Sequence, residues 1–579
     1  MSLHDGAELC DRFGPRLLGT AALGEATDYL VAALKADGLE HVHCETVPDA
    51  PRWERGAPEA ATLTAPLLGG GRAAQLRVLA LGMSVGTPAG GLEAEVVLVD
   101  GWEVLAALGA AGALAGKVVL LNPPWRGYAA AAEFRVAGAR RCAAHGAAAV
   151  LIRSAAPFGL ATPHTGLGSD TGGATPIPAA AVAGEDADML ARMAARGWRL
   201  RVKLQLPCRL LPPAPARVVV AELRGTDLAH QTVLLSGHLD SWDVGYGALD
   251  DGGGLVVSWR ALALLSRLGL RPRRTLRFVA WAGEEFGLGS ASYWRAHAAE
   301  AGNVTLAAES DSGVFFPAAL QLSAPVAAHA VARAVGELLQ RAGAAGGVAP
   351  GGEGSDVSAA AVLGVPVASL LTRPGAWFRD ADVWNASGPA GPKFQGDYFM
   401  AHHSDADTVS FLDPQQMDAS LATWAAFAYV LANLSAPLPR GPPATAAQLA
   451  AELGGAASGS TAAPPPTCGP AWEPPEAAQG GGSCRDGRDD RSFLVAQAAV
   501  LALAAAAAGA CAAYLLLVPG RAYGSWRAGP APPVPRGRER HSETRAAAAG
   551  GDVDLDAESY RPIPASPEAA EAADEAHSQ

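Results

Sequence analysis

Apolar runs and amphipathic segments alternate along the middle of the chain, between about residue 216 and residue 438. Short apolar runs bounded by polar residues predict buried strands, and apolar residues that recur every three or four positions predict helices. The predicted strands are 232–236, 275–281, 304–308 and 365–371, and the predicted helices are 255–268 and 417–434. This alternation favours an α/β layer with a largely parallel sheet, in which sites collect at the carboxyl ends of the strands.

A second pattern occupies residues 51–215, where short β-rich runs such as "AEVVLVD" and "GKVVLLN" are joined by small residues. We predict a separate β-rich domain here, inserted between an N-terminal helical segment at 1–50 and the α/β domain at 216–438. The insert offers no dense set of metal ligands. Its histidines, His145 and His164, are expected in loops or at the surface, because histidine usually keeps some exposure.

The composition changes after residue 438. Residues 439–492 are rich in Pro, Gly, Ala and Ser, which is typical of a flexible stalk. Residues 493–518 carry no charge over 26 positions, enough for a helix to cross a hydrocarbon core of about 30 Å. The alternative is a buried Ala-rich helix, but the flanks look disordered, so we predict a transmembrane helix followed by a disordered cytosolic tail at 519–579.

Several features bear on the compartment. Three Asn-x-Ser/Thr acceptors, Asn303, Asn385 and Asn433, favour the secretory pathway, although each alone is weak. More arginines follow the predicted span than precede it, which places the tail in the cytosol and the larger part outside. The first residues resemble no signal peptide, so we expect either an earlier start or entry through a later segment.

The net charge and the cysteine pattern argue against nucleic-acid binding and against two kinds of cysteine site. The formal net charge of −13 argues against a nucleic-acid binder. None of the seven cysteines forms a CxxC pair, so neither a zinc ribbon nor a thioredoxin-like site is indicated. Cys468 and Cys484 lie in the predicted stalk, where a disulfide and two free thiols are equally expected.

Four clusters of potential ligands follow one another, most of them at predicted strand ends. A lone histidine there is usually structural, and "DDGGG" alone could cap a helix. The repetition favours one shared site instead. The clusters are His238 with Asp240, Asp250 and Asp251; Glu284 and Glu285; Glu309 and Asp311; and His402, His403, Asp405 and Asp407.

Imidazole and carboxylate ligands without thiolate suit a catalytic zinc ion, while manganese or cobalt remain chemically possible. One carboxylate that bridges two cations about 3.5–4 Å apart is a common way to hold a hydrolytic water against a substrate oxygen. The donors here are numerous enough for such a pair. Spacing alone does not identify the bridging carboxylate.

These clusters, together with the sequence motifs around them, resemble those of the co-catalytic zinc exopeptidases, most closely the carboxypeptidase Q group. The resemblance covers roughly the first 440 residues, and the region at 51–215 looks like a protease-associated domain. It implies a zinc exopeptidase fold, a mostly parallel sheet flanked by helices. The motifs that carry it, in order, are "FGPRLLGT", "WERG", "PHTG", "SGHLDSWDVG", "ALDDGGG", "GLRPRRTLRFVAWAGEE", "ESDSG", "GGEGSD" and "HHSDADT".

The resemblance implies two Zn²⁺ ions per subunit. One ion would be held by His238, Asp250 and Asp311. The other would be held by Asp250, Glu285 and His403, so that Asp250 bridges the two.

The same resemblance implies that Glu284 is the general base, which takes a proton from the attacking water and passes it to the leaving amine. His403 rather than His402 is taken as the ligand, because it stands four residues before Asp407, the family's spacing for ligand and partner. Asp240 and Asp407 would support the ligands from behind.

Members of this group cleave short peptides, preferably dipeptides with free termini, and work as secreted or lysosomal homodimers. We expect the same reaction and assembly here. An aminopeptidase acting on longer peptides would share the mechanism. A receptor built on an inactive peptidase scaffold, as in the transferrin receptor group, would be expected to have lost ligands, and all five ligands and the base are present.

Overall fold

The computed structural model describes residues 2–445, apart from 158, 353 and 374–397, together with 447–449. Most of the predicted stalk, the predicted membrane span at 493–518, the tail at 519–579 and the acceptor Asn385 lie outside the described residues. Among the helices that the structure describes, none is long and apolar enough to cross a membrane.

The described chain forms two eight-stranded sheets with helices packed on them. Its strands are β1 (Glu40–Glu54), β2 (Ala60–Leu68), β3 (Arg72–Leu76), β4 (Val78–Ala80), β5 (Leu92–Val99), β6 (Val118–Leu121), β7 (Ala149–Arg153), β8 (Ala179–Val182), β9 (Arg201–Gln205), β10 (Arg209–Leu223), β11 (Leu228–His238), β12 (Arg274–Trp281), β13 (Val304–Glu309), β14 (Phe316–Ser323), β15 (Gly347–Pro350) and β16 (Val367–Arg373). Its helices are α1 (Ser2–Phe13), α2 (Ala21–Ala36), α3 (Trp102–Ala110), α4 (Tyr128–Ala143), α5 (Gly184–Ala195), α6 (Gly253–Arg267), α7 (Gly289–Ala296), α8 (Val326–Arg341), α9 (Ser355–Val362), α10 (Tyr398–Ala401) and α11 (Pro414–Asn433).

The first sheet has the order β1-β10-β12-β11-β13-β16-β14-β15. All four predicted strands fall in it, as β11, β12, β13 and β16, and the two predicted helices are α6 and α11. Those four strands are parallel to one another, but β1 and β10 pair antiparallel and so do β14 and β16. The mixed α/β fold is therefore confirmed, while the expectation of a largely parallel sheet holds only for its centre.

The centre of this sheet is buried on both faces, which is why its strands read as continuous apolar runs. Residues 232–238 of β11 are all buried, and so is the α6 segment 253–265 that packs beside it. A Cβ atom at Gly254 would collide with the carbonyl oxygen of Ser310, so glycine lets the start of α6 approach the end of β13. This close approach brings two of the predicted ligand clusters together.

The second sheet, formed by residues 60–205, has the order β3-β2-β9-β5-β6-β7-β8-β4. Its strands β5 to β8 are parallel. In the chain, α3 lies between β5 and β6, α4 between β6 and β7, and α5 between β8 and β9. We call the part of the chain at 60–205 the insert. The chain enters and leaves it through β1 and β10, which pair from Glu40 with Glu222 to Glu54 with Arg209. The boundaries at 51 and 215, and the protease-associated identity, stay predictions.

Arg55 joins the insert to the first sheet. Its guanidinium forms two hydrogen bonds to the Asp243 carboxylate, at 2.8 and 2.6 Å. It also donates to the carbonyl oxygen of Ala80 at 2.6 Å and to the hydroxyl of Thr165 at 3.2 Å, both in the insert. Because Asp243 follows the end of β11 by a few residues, this contact holds the insert against the carboxyl ends of the parallel strands.

Candidate metal centre

The predicted ligands converge at the carboxyl edge of the first sheet. His238 ends β11, Glu285 follows β12 and Asp311 follows β13. Asp250 lies in the irregular turn before α6, and His403 follows α10. The chain thus brings five side chains that are up to 165 residues apart to one place, as expected for adjoining parallel strands.

One group of potential ligands is formed by His238, Asp250 and Asp311. The Nε2 atom of His238 lies 3.1 Å from Asp250 Oδ1 and 3.4 Å from Asp311 Oδ1. All three side chains are buried or nearly so, and their ligand atoms lie close enough together to hold a metal ion. This is the first of the two sets that the resemblance implies.

A second group surrounds the other oxygen of Asp250. His403 Nε2 lies 3.2 Å from Asp250 Oδ2 and 3.0 Å from Glu285 Oε2. His402 is also near, with Nε2 at 3.4 Å from the same Asp250 oxygen and its ring stacked on His403 at 3.6 Å between centroids. Asp250, His402 and His403 could together hold a metal ion. The choice of His403 over His402 therefore stays a prediction, favoured by the contact with Glu285.

Burial strongly shifts the pKa values of the ionisable side chains in this centre. Burial raises the pKa of Glu285 to about 8 and that of Asp311 to about 7. Burial alone would lower the pKa of His238, but hydrogen bonds to Asp250 and Asp311 raise it well above its usual value. Glu285 Oε1 is buried and accepts no hydrogen bond from the described part of the chain.

Such a buried set of carboxylates and imidazoles fits a divalent cation. A cation favours the charged carboxylate and the neutral imidazole, and it satisfies oxygen atoms such as Glu285 Oε1 that have no donor. Nitrogen and oxygen donors without a thiolate match the ligands of catalytic zinc sites. The residues present therefore fit a metal centre.

The two adjacent glutamates differ in exposure. The side chain of Glu285 is 1% exposed, whereas that of Glu284 is 14% exposed. Glu284 Oε2 lies 3.9 Å from His238 Nε2, farther than the Asp250 and Asp311 oxygens. Glu284 thus lies beside the potential ligands and keeps some contact with solvent.

Asp240 acts differently from the sequence-based expectation. Its spacing predicted that the carboxylate would orient the imidazole of His238, yet His238 Nδ1 meets the main-chain oxygen of Asp240 at 2.9 Å. The Asp240 carboxylate instead accepts the main-chain N–H groups of Gly283, Glu284 and Glu285, at 2.8, 3.3 and 3.4 Å. It therefore shapes the turn that carries the two glutamates.

Asp407 holds the turn that carries Asp250. One carboxylate oxygen accepts the N–H groups of Ala248 and Leu249, at 2.9 and 2.6 Å, and the other accepts that of Asp250 at 3.2 Å. Burial raises the pKa of Asp407 to about 7. Asp251 likewise supports a neighbour, because its carboxylate accepts the N–H of His238 at 3.1 Å.

Sequence reasoning missed two contributors to the site. Tyr398 donates its hydroxyl to Asp250 Oδ1 at 3.1 Å, and the only signal for it was an aromatic residue shortly before His402. His164, expected in a loop or at the surface, is in a loop but only 1% exposed, with Nδ1 at 2.6 Å from the His402 carbonyl oxygen. The expectation of some exposure was wrong because the loop that carries His164 packs against His402 and His403. His145 is partly exposed in a turn, as predicted.

Comparisons with known proteins show which families and chains this protein is similar to. The model of peptidase family M28 matches residues 218–428. Carboxypeptidase Q from Bos taurus is 42% identical over 435 residues, which cover 75% of this chain and 86% of that protein. Carboxypeptidase Q from Homo sapiens is 40% identical over 435 residues, with the same shares.

Solved structures are also similar to this chain. A peptidase M28 precursor from Shewanella amazonensis is similar with a TM-score of 0.67 and 32% sequence identity, covering 76% of this chain and 95% of that one. A zinc aminopeptidase from Bacillus subtilis has a TM-score of 0.53 and 18% identity, covering 74% and 93%. The second similarity shows a shared fold.

Proposed function

Because the chain belongs to peptidase family M28 and is a metallopeptidase similar to carboxypeptidase Q, we propose that it is a two-zinc exopeptidase acting on dipeptides with free termini. The observation that carries this proposal is the orientation of Asp250. One of its carboxylate oxygens faces His238 and the other faces His403. A carboxylate turned toward two imidazoles in this way is suited to bridge two cations.

In this proposal His238, Asp250 and Asp311 hold one zinc ion, and Asp250, Glu285 and His403 hold the other. The carboxylates supply negative charge, and the histidines bind through Nε2. His238 is held for this task because its Nδ1 meets the main-chain oxygen of Asp240, which leaves Nε2 as the ligand atom. The zinc aminopeptidase with the same fold supports the choice of metal.

When bound, the zinc ions polarise the scissile carbonyl and lower the pKa of the attacking water. Glu284 takes the proton of that water and delivers it to the nitrogen of the leaving amine as the peptide bond breaks. It is suited to this role because it stands beside the ligands and remains partly exposed. Asp240 keeps Glu284 apart from Glu285 by holding the turn between them.

Zinc content and peptide cleavage test this function together. The purified chain is assayed on a panel of dipeptides, N-blocked dipeptides and longer peptides, with metal measured by elemental analysis. We expect two zinc ions per chain, cleavage of unblocked dipeptides and loss of activity with a chelator. Preference for longer peptides would favour an aminopeptidase, and a metal-free inactive chain would contradict the proposal.

We further propose that the catalytic part acts outside the cytosol, in a homodimer anchored by residues 493–518, with a secreted or lysosomal form as the alternative. The acceptors Asn303 and Asn433 and the apolar stretch support this placement. The homodimer rests on the resemblance to the carboxypeptidase Q group.

A further inference from the structure

A buried loop of the insert contacts the two consecutive histidines of the metal centre. His164 Nδ1 lies 2.6 Å from the carbonyl oxygen of His402. The next residue, Thr165, donates its main-chain N–H to the carbonyl oxygen of His403 at 2.8 Å. His164 and Thr165 are 1% and 0% exposed, so these contacts are shielded from competing water. The insert therefore holds both peptide units that flank the Cα atom of His403.

The main chain at His403 needs such support. Its φ angle is 61°, in the left-handed region that residues with a side chain rarely adopt. A backbone held in a sparsely populated region is energetically unfavourable and persists only where its surroundings impose it. The hydrogen bonds from His164 and Thr165 are contacts that impose it.

The insert also contacts the imidazole ring of His403. A histidine that binds a metal through Nε2 carries its proton on Nδ1, which then needs an acceptor. Two groups of the insert lie 3.3 Å from Nδ1, the Thr165 carbonyl oxygen and the Arg135 guanidinium. A guanidinium offers no acceptor, so the Thr165 oxygen is the partner that suits the metal-binding tautomer.

The other histidine ligand is supported in another way. His238 Nδ1 meets the carbonyl oxygen of Asp240, two residues along its own segment, and His238 N–H meets Asp251. Both supports belong to the first sheet and the turns that follow its strands. The two proposed zinc sites thus differ in which part of the protein orients their histidine.

We propose that His164 and Thr165 are positioning residues that make the second metal site, at Asp250, Glu285 and His403, dependent on the docked insert. This inference rests on the proposed two-zinc function. Loosening the His164 contact frees the strained main chain at His403, so the second ion is held less tightly. The first site, at His238, Asp250 and Asp311, keeps its own supports.

The test compares His164→Leu with His164→Asn and the matched control His145→Leu in the purified full chain. Leucine removes the donor to His402, asparagine retains a side-chain N–H, and His145 is the other histidine of the insert. The zinc bound by each variant is titrated with a chelator of known affinity. Removal of such supporting partners typically weakens metal binding about 10–100-fold. We expect this loss for one of the two ions only in His164→Leu, substantial recovery in His164→Asn, and no change in His145→Leu.

Equal weakening of both ions, or unchanged binding of both, would overturn the inference. If the native chain binds two ions and His164→Leu matches it, the proposed function stands and this inference fails. A native chain that binds one ion overturns both. Should His164→Leu not fold, Arg55→Lys replaces it, because Arg55 docks the insert through Asp243 and Thr165; the same selective loss of one ion is then required.

Discussion

Asp240 accepts the main-chain N–H of Gly283 at 2.8 Å, and this hydrogen bond fixes the start of the turn that carries Glu284 and Glu285. Two like charges in sequence would repel each other if both faced one point. The turn instead buries the side chain of Glu285 and leaves that of Glu284 partly exposed. The pair can therefore divide its work between holding a cation and moving a proton.

Glu284→Gln is expected to lower kcat about 10²–10⁴-fold, the usual contribution of a general base, while zinc content and thermal stability stay unchanged. Glutamine keeps the size of the side chain but takes up no proton. Glu285→Gln is the matched comparison and should lose zinc as well as activity. Steady-state kinetics and elemental analysis provide the measurements, and full turnover by Glu284→Gln would refute the proposed mechanism.

Asp407→Asn is expected to weaken zinc binding and to lower the free energy of unfolding by about 1–3 kcal/mol, because an amide NH₂ then faces main-chain N–H groups of the Asp250 turn. Asp405→Asn, two positions earlier and exposed, is the control and should behave like the native chain. Denaturant unfolding and zinc titration measure both effects. Equal behaviour of the two variants would show that Asp407 does not support the turn.

Bound zinc should reverse the direction in which the free energy of unfolding changes with pH. Without metal, the raised pKa values of Glu285 (about 8) and Asp311 (about 7) mean that the folded chain binds more protons than the unfolded chain between about pH 4 and 8. Their contribution to stability is present below about pH 4 and is lost as the pH rises. Bound zinc replaces those protons and becomes more stabilising at high pH.

We therefore expect the difference in Tm between zinc-loaded and chelator-treated protein to widen from pH 5 to pH 8. Differential scanning calorimetry at both pH values measures it. Asp311→Asn cannot titrate and should flatten the pH dependence of the chelated form. A difference that narrows with rising pH would contradict the assignment of these carboxylates.

Arg55→Met is expected to lower the free energy of unfolding by about 3 kcal/mol, because it leaves the Asp243 carboxylate without its bidentate partner. The side chains of this pair are only 11% and 21% exposed. Arg140→Met breaks a more exposed pair with Asp170 in the insert and should cost about 1 kcal/mol or less. Chemical denaturation of both variants checks the difference, and similar losses would argue against a special role for the junction.

Glycosylation tests the proposed topology. Asn303 is exposed, whereas Asn433 is half-buried at the end of α11, with its side-chain N–H donated to the Tyr429 carbonyl oxygen at 2.8 Å. We expect a glycosidase to increase gel mobility of the protein from secretory cells, and Asn303→Gln to remove part of that shift. Asn433→Gln should have the smaller effect. Membrane-bound protein without any glycan would place the catalytic part on the cytosolic side.

The sequence by itself determined the central strands, the two long helices that flank them, and the residue types of the metal centre. These features depend on local sequence. A strand buried on both faces is apolar throughout, and a polar residue just past the end of such a strand is expected at the edge of the sheet. The location of the clusters that contain His238, Glu285 and Asp311 could be predicted on that basis, whereas the choice of these residues as ligands came from the family resemblance.

Only the tertiary structure decided how the supporting residues act. Asp240 was expected to orient an imidazole but holds a turn from the next strand, and His164 was expected to have some exposure but is buried against His402. Both contacts join segments far apart in the chain, and His164 comes from the insert. A hydrogen bond between distant segments depends on how the elements pack, and neither spacing nor composition records that packing.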